Sequence, residues 1–156
     1  MDCLNKKELP FEEMMPLIIE RLSVGGEVKI SPKGVSMLPM LRQGKDSVIL
    51  SPVPETLQKY DLPLYKRDDG KYVLHRIVSV GETLECVGDN HYEIEKNIRK
   101  DQIIAVVTAF YRGEKLWKTD NLIYRIYCVL WYKSRKFRKL FKRFMNKITQ
   151  KSEAKK

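Results

Sequence analysis

This chain of 156 residues is short of the residues that make disulfide frameworks, metal centres and membrane spans. Its three cysteines, Cys3, Cys86 and Cys128, are odd in number and widely scattered, which excludes a disulfide framework and fits a reducing compartment. Histidine occurs only at positions 75 and 91, and neither it nor cysteine recurs at zinc-ligand spacing, so no metal and no other cofactor is expected. The longest apolar stretch, residues 121–132, contains Arg125 and falls short of the roughly 20 apolar residues that a spanning helix needs. Residues 1–10 are polar and read as loose. They lack the basic region and apolar core of a secretory signal peptide. Acidic residues are scarce towards the end of the chain. Residues 1–120 hold 18 Lys and Arg against 19 Asp and Glu, whereas residues 121–156 hold 12 against Glu153 alone. The net charge of +10 therefore belongs to the tail, and the anionic partner it calls for is the tail's partner.

What is present reads as one domain with a single core. Met14, Met15, Ile18, Ile19 and Leu22 recur at helical spacing between Phe11 and Ser23, with Glu12 and Glu13 at the dipole-favoured end and Gly25-Gly26 as the stop. From Glu27 to about Arg112 short apolar or alternating runs take over, at Val28–Ile30, Ser47–Leu50, Leu62–Tyr65, Tyr72–Val80, Leu84–Val87 and Ile103–Tyr111. Pro52, Pro54, Asp69-Gly70, Gly81 and Gly88-Asp89-Asn90 punctuate them, and Asp69-Gly70 is a good hairpin turn. The pattern predicts a mainly β chain: a coiled β-sheet or partly closed barrel, with a short N-terminal helix and a basic amphipathic C-terminal helix. The expected boundaries are 1–26 for the N-terminal segment, 27–117 for the β domain and 118–156 for the C-terminal helix and tail.

One stretch carries chemistry: Gly34-Val35-Ser36-Met37-Leu38-Pro39-Met40-Leu41. Glycine frees the backbone to turn and proline fixes φ, so Ser36 sits on a stiff bend with its hydroxyl available. A serine hydroxyl needs a base within hydrogen-bond reach before it attacks anything at neutral pH. His75 has the right ordinary pKa for that work, and a carboxylate is needed to orient its ring. Backbone N–H groups around Ser36, its own among them, would form an oxyanion hole. The plain alternative is a proline turn leading into a strand, with a strand histidine elsewhere.

The Gly34–Leu41 block, Val73-Leu74-His75-Arg76-Ile77 and Gly88-Asp89-Asn90, in that order, resemble the signal peptidase family in its archaeal and endoplasmic-reticulum branch, and more widely the clan that includes LexA-type self-cleaving repressors. The resemblance covers roughly residues 28–112. It implies a LexA/signal-peptidase-like fold for the β domain. It also implies a serine endopeptidase that cuts a leader or signal-like peptide after a small residue, with Ser36 as nucleophile and His75 as base. Asp89 is then the first choice for the acid and Glu95 the second. The branch carries further aspartates after its Gly-Asp-Asn turn, where this chain has His91-Tyr92-Glu93-Ile94-Glu95. Met37 and Pro39 are assigned to substrate binding. Lys71 is an alternative base, since lysine serves in another branch. His91 reads as a turn residue, and Arg76 and Asp46 as structural.

In the tail, Phe137, Leu140, Phe141, Phe144, Met145 and Ile148 share one helical face, and Lys136, Arg138, Lys139, Lys142, Arg143 and Lys147 fill much of the rest. Tyr124, Tyr127, Trp131 and Tyr132 precede them. This is the composition of a helix lying on an anionic membrane surface, and a peripheral, cytoplasmic-face location is expected. A partner protein, membrane-bound or not, is the second reading. Nucleic acid is the last, because no helix-turn-helix pattern accompanies the basic arm. The alternative to an enzyme is a non-catalytic peptide-binding or membrane-docked module of the same fold, and behind it a LexA-like regulator acting on nucleic acid.

Overall fold

A computed structural model describes residues 10–153, with side chains placed as far as Met145. The expected looseness of the first nine residues, and the placing of Lys147 and Ile148 on the tail helix's faces, lie outside the residues and side chains described. Strand and helix account for 32% and 29% of the described structure, so the fold is mixed, mainly sheet. The expected antiparallel strands are present, but they form two open sheets and not a closed barrel.

Helix α1 spans Phe11–Ser23 and buries Met15, Ile18 and Leu22, which stand three and four residues apart and so share a face. Met14 and Ile19 flank that face and remain exposed. Gly25, at φ +78°, turns the chain out of the helix. The strands are β1 (Val28–Ile30), β2 (Asp46–Ser51), β3 (Pro63–Lys66), β4 (Tyr72–Leu74), β5 (Arg76–Val80), β6 (Leu84–Val87), β7 (Glu95–Ile98), β8 (Ile103–Arg112) and β9 (Lys115–Lys118). Helices α2 (Leu122–Lys133) and α3 (Arg135–Glu153) close the chain. The Asn121 side chain caps α2 by accepting from the N–H groups of Ile123 and Tyr124.

The larger sheet runs β1-β2-β8-β3-β4, all antiparallel, with β9 folded back on β8. The smaller is β5-β6-β7. Sequence alternation predicts one strand over 72–80. The structure instead ends β4 at Leu74 and starts β5 at Arg76, so His75 is the single residue between the two sheets. Its burial, at 2% exposure, follows from that position, because one sheet lies on each side of it.

A large apolar cluster gathers α1, the loop around Met37 and Met40, the larger sheet and two residues of α2, Tyr124 and Cys128. A second cluster, around Tyr65, Ile77, Leu84 and Cys86, joins the two sheets. The segment 27–117 therefore shares its core with the helices on either side. At roughly 1.5–3 kcal/mol for each large apolar side chain buried, the contributions of α1 and α2 are comparable to a strand's.

Candidate active site

Four segments converge on one cleft of about 220 Å³, whose wall includes Ser36, Met37, Arg67, Val73, His75 and His91. The Gly34–Leu41 loop supplies Ser36. It is a run of turns with Gly34 at φ +94° and a cis bond between Leu38 and Pro39. Met37, Met40 and Leu41 anchor it in the larger core, so the loop is fixed by its apolar residues while Ser36 stays partly exposed. Asn90 ties the loop from the other side: its N–H donates to the Ser36 carbonyl at 2.8 Å and its Nδ2 to the Val35 carbonyl at 3.2 Å. Gln43 Oε1 accepts from the Gly34 N–H at 2.8 Å. Among the described residues, the N–H groups of Ser36 and Met37 and the Ser36 hydroxyl have no protein partner.

His75 presents its two nitrogens to two different surroundings. Nδ1 lies 2.9 Å from Glu95 Oε1 and 3.4 Å from the Tyr65 hydroxyl. Nε2 lies on the Ser36 side, across Gly88: a Cβ placed on Gly88 would stand 3.0 Å from His75 Nε2 and 2.7 Å from the Ser36 carbonyl oxygen. A methyl at this position would press on both His75 and the Ser36 loop, so one of them would have to shift. Burial pushes the His75 pKa down to about 4, although the Glu95 carboxylate pulls the other way. The imidazole is therefore neutral at pH 7. With Nδ1–H turned to the carboxylate, Nε2 is left as an acceptor, which is the tautomer a general base needs.

Glu95 is itself well held. Tyr65 Oη donates to its Oε2 at 2.9 Å and Arg67 Nε to the same oxygen at 2.8 Å, while Arg67 Nη2 reaches Oε1. Burial alone would raise its pKa, but the hydrogen bonds from Arg67 and Tyr65, with His75 nearby, keep it below the ordinary carboxylate range. Tyr65 is buried in the second cluster, and its phenol is pushed well up by that burial, so it acts only as a neutral donor.

The first-choice acid, Asp89, is engaged elsewhere. Arg76 Nε and Nη2 grip its two oxygens at 2.8 and 2.7 Å, with both side chains buried. His75 and Arg76 are consecutive and point to opposite sides, so the carboxylate facing the imidazole is Glu95 and the one facing the guanidinium is Asp89. Arg76 is the structural residue expected. Its remaining N–H groups reach Tyr124 Oη and Cys128 Sγ, each at 2.9 Å, and Met40 Sδ at 3.0 Å. It thereby connects the nucleophile loop, the Gly88–Asn90 turn and α2.

The two residues assigned to substrate binding part company. Met37 is 4% exposed and lines the Ser36 cleft from the core side. Pro39 is exposed and lines a different cleft, of about 390 Å³, between Leu38, Asn90 and Tyr92 on one side and Trp131, Phe137, Arg138, Phe141 and Lys142 on the other. Lys71 does not line the Ser36 cleft; its ammonium lies 3.6 Å from Asp69 in the exposed β3–β4 turn. His91 meets the His75 ring edge-on with centroids 5.5 Å apart, and its N–H donates to the Gly88 carbonyl, as suits a turn residue. Asp46 is structural. Hydrogen bonds from the Arg42 side chain, together with the Arg42 and Gly113 amides, lower its pKa to about 2 against the effect of burial. Reading the sequence missed Arg67 and Tyr65. The tyrosine was legible only as an apolar strand residue, and the hairpin that brings Arg67 back to Glu95 was predicted without its consequence. No group of His, Cys, Asp and Glu suited to a metal ion occurs among the described residues.

No known protein family, no curated protein and no solved structure matches this chain.

Proposed function

We propose that the chain is a serine hydrolase with a Ser36–His75–Glu95 triad, and more narrowly an endopeptidase of the signal-peptidase kind acting on a leader-like peptide. The observation that carries this reading is the two-sided placing of His75: carboxylate at Nδ1, nucleophile loop at Nε2, and a neutral ring between them. Ser36 Oγ attacks the scissile carbonyl as His75 Nε2 takes its proton. Glu95 stabilises the imidazolium that forms. The unpartnered N–H groups of Ser36 and Met37 serve the developing oxyanion. His75 then returns the proton to the leaving amine, and water repeats the sequence on the acyl-enzyme.

An extended peptide fits the surroundings. Among the described residues strand β4 is an edge of the larger sheet, paired only with β3, and Tyr72, Val73 and Leu74 line the cleft with Pro32, Gly34 and Ser36. A substrate backbone could add to that edge as a further strand. The small volume and the apolar Val73, Leu74 and Leu41 favour short side chains at the cleavage site, in line with the resemblance of the Gly34–Leu41 block.

The test is labelling with a serine-reactive phosphonofluoridate, with and without lipid vesicles, on wild type, Ser36→Ala, His75→Ala and Glu95→Gln. Labelling that disappears in the first two and slows in the third is expected. A folded wild type that never labels would instead favour a non-catalytic peptide-binding module of the same shape.

A further inference from the structure

Helices α2 and α3 leave a row of apolar side chains uncovered by the rest of the chain. On α2, Tyr124 and Cys128 turn inward, while Ile123, Ile126 and Leu130 are 66%, 49% and 62% exposed. On α3 the row continues through Phe137, Phe141 and Phe144. The spacings 123, 126, 130, 137, 141 and 144 keep one helical face through the break at Ser134, so the row runs from the start of α2 to Phe144 in α3. Lys133, Lys136, Lys139, Lys142 and Arg143 are all exposed around it, and among the described side chains of α2 and α3 there is no carboxylate. No helix among the described residues is long and apolar enough to cross a membrane.

We propose that α2 and α3 together form a docking face for an anionic lipid bilayer, the apolar row entering the headgroup region and the flanking cations meeting acidic headgroups. The charge decides the occupant. A protein groove that covers the row would leave the cations unmatched unless it were acidic along its whole length, whereas an anionic leaflet matches both features at once. Nucleic acid would answer the cations but leave six large apolar groups in water.

The other side of the same helices holds the active-site turn. Trp131 Nε1 donates to the Asp89 carbonyl at 2.8 Å, and Arg138, stacked 3.6 Å over the Trp131 ring, approaches the same oxygen at 3.4 Å. Phe137 and Phe141 also wall the cleft beside Leu38 and Pro39. Docking therefore sets the Ser36 loop beside the lipid surface, where a membrane-bound leader would be found. The docking itself does not depend on Ser36 being a nucleophile.

The test is co-sedimentation of the full chain with vesicles of phosphatidylcholine alone or mixed with phosphatidylglycerol, at low and high salt. Partitioning to the anionic vesicles, at least about tenfold weaker on the neutral ones and weakened by salt, is expected. Lys136→Glu/Lys139→Glu/Arg143→Glu and, separately, Ile126→Ser/Leu130→Ser/Phe144→Ser should each lower it about tenfold or more, while circular dichroism shows the helices retained. Ser36→Ala should partition like wild type, so loss of peptidase activity and loss of docking are read separately. Absence of binding to anionic vesicles overturns the proposal, as does equal binding to neutral ones. Binding to a DNA duplex that the serine variant leaves unchanged, with no vesicle binding, also overturns it.

Discussion

Two consecutive residues, His75 and Arg76, each meet a carboxylate from the segment 89–95, in opposite surroundings. Arg76 and Asp89 are both sealed, and their contacts are bidentate and supplemented by α2 and by Met40. Their geometry is complete without any ligand. His75 is equally buried, but its carboxylate partner is about one-quarter exposed, and one ring nitrogen is left facing the Ser36 loop. A charge pair satisfied on every side stores no chemistry; it fixes positions. A pair satisfied on one side only has a lone pair to offer. The difference between a sealed couple and one left open on one side lies here in a one-residue step of the chain between two sheets.

The comparison can be broken most severely at the sealed pair. Asp89→Ala strands a buried guanidinium and should cost roughly 3–5 kcal/mol of stability, measured by urea denaturation. A loss as small as that of a surface substitution would mean that the pair is not sealed in solution. The reactive pair should behave in the reverse way. Glu95→Gln keeps the volume, so stability should change much less than in Asp89→Ala, while the labelling rate of Ser36 falls about a hundredfold. Equal rates in Glu95→Gln and wild type would remove Glu95 from the triad.

Protonation separates the couples next. The folded pKa of His75, about 4, lies below its ordinary value, so between those two pH values the unfolded chain binds more protons than the native one. Stability from this group is complete above pH 6.5 and is lost as pH falls toward 4, by at most about 1.4 kcal/mol per pH unit. His75→Gln should flatten that part of a stability-against-pH curve, and an unchanged slope would contradict the assignment. The same shift keeps the base neutral, so labelling by the free protein should hold its rate on the acid side well below pH 6.5. Gly88→Ala should be milder, slowing labelling by about tenfold as the new methyl moves the Ser36 loop from His75. The smallest effect belongs to Lys71→Ala, expected within about 0.5 kcal/mol in stability and without effect on labelling. A large loss of labelling would bring back the lysine as base.

The two couples also mark where reading the sequence succeeds and where it stops. Ser36 and His75 were singled out because glycine, serine and proline at fixed spacing have a backbone meaning and because the order of the three blocks resembles the signal peptidase pattern, and the structure sets the Ser36 carbonyl and His75 Nε2 both against Gly88. Helix α1 and most strands were legible through period and punctuation. The break at His75 was not, since Tyr72–Val80 alternates smoothly and the transfer between sheets is decided by their packing. The acid followed from that break: had the strand continued, nothing in the residues would choose between Asp89 and Glu95. Strand β7 escaped notice because Glu95-Lys96-Asn97-Ile98 buries only Ile98 and owes its form to pairing with β6. Helix α2 was read as a prelude to a surface helix, whereas Tyr124 and Cys128 complete both the core and the coordination of Arg76.

That last contact orders events during synthesis. Arg76 and Asp89 leave the ribosome long before residues 124, 128 and 131, and until those arrive the guanidinium lacks its α2 partners and the Asp89 carbonyl lacks Trp131. The turn that braces Ser36 is thus finished by residues made well after it. A nascent chain therefore carries Ser36 and His75 before the α2 side of their support has been made, and the bracing is completed only once α2 follows.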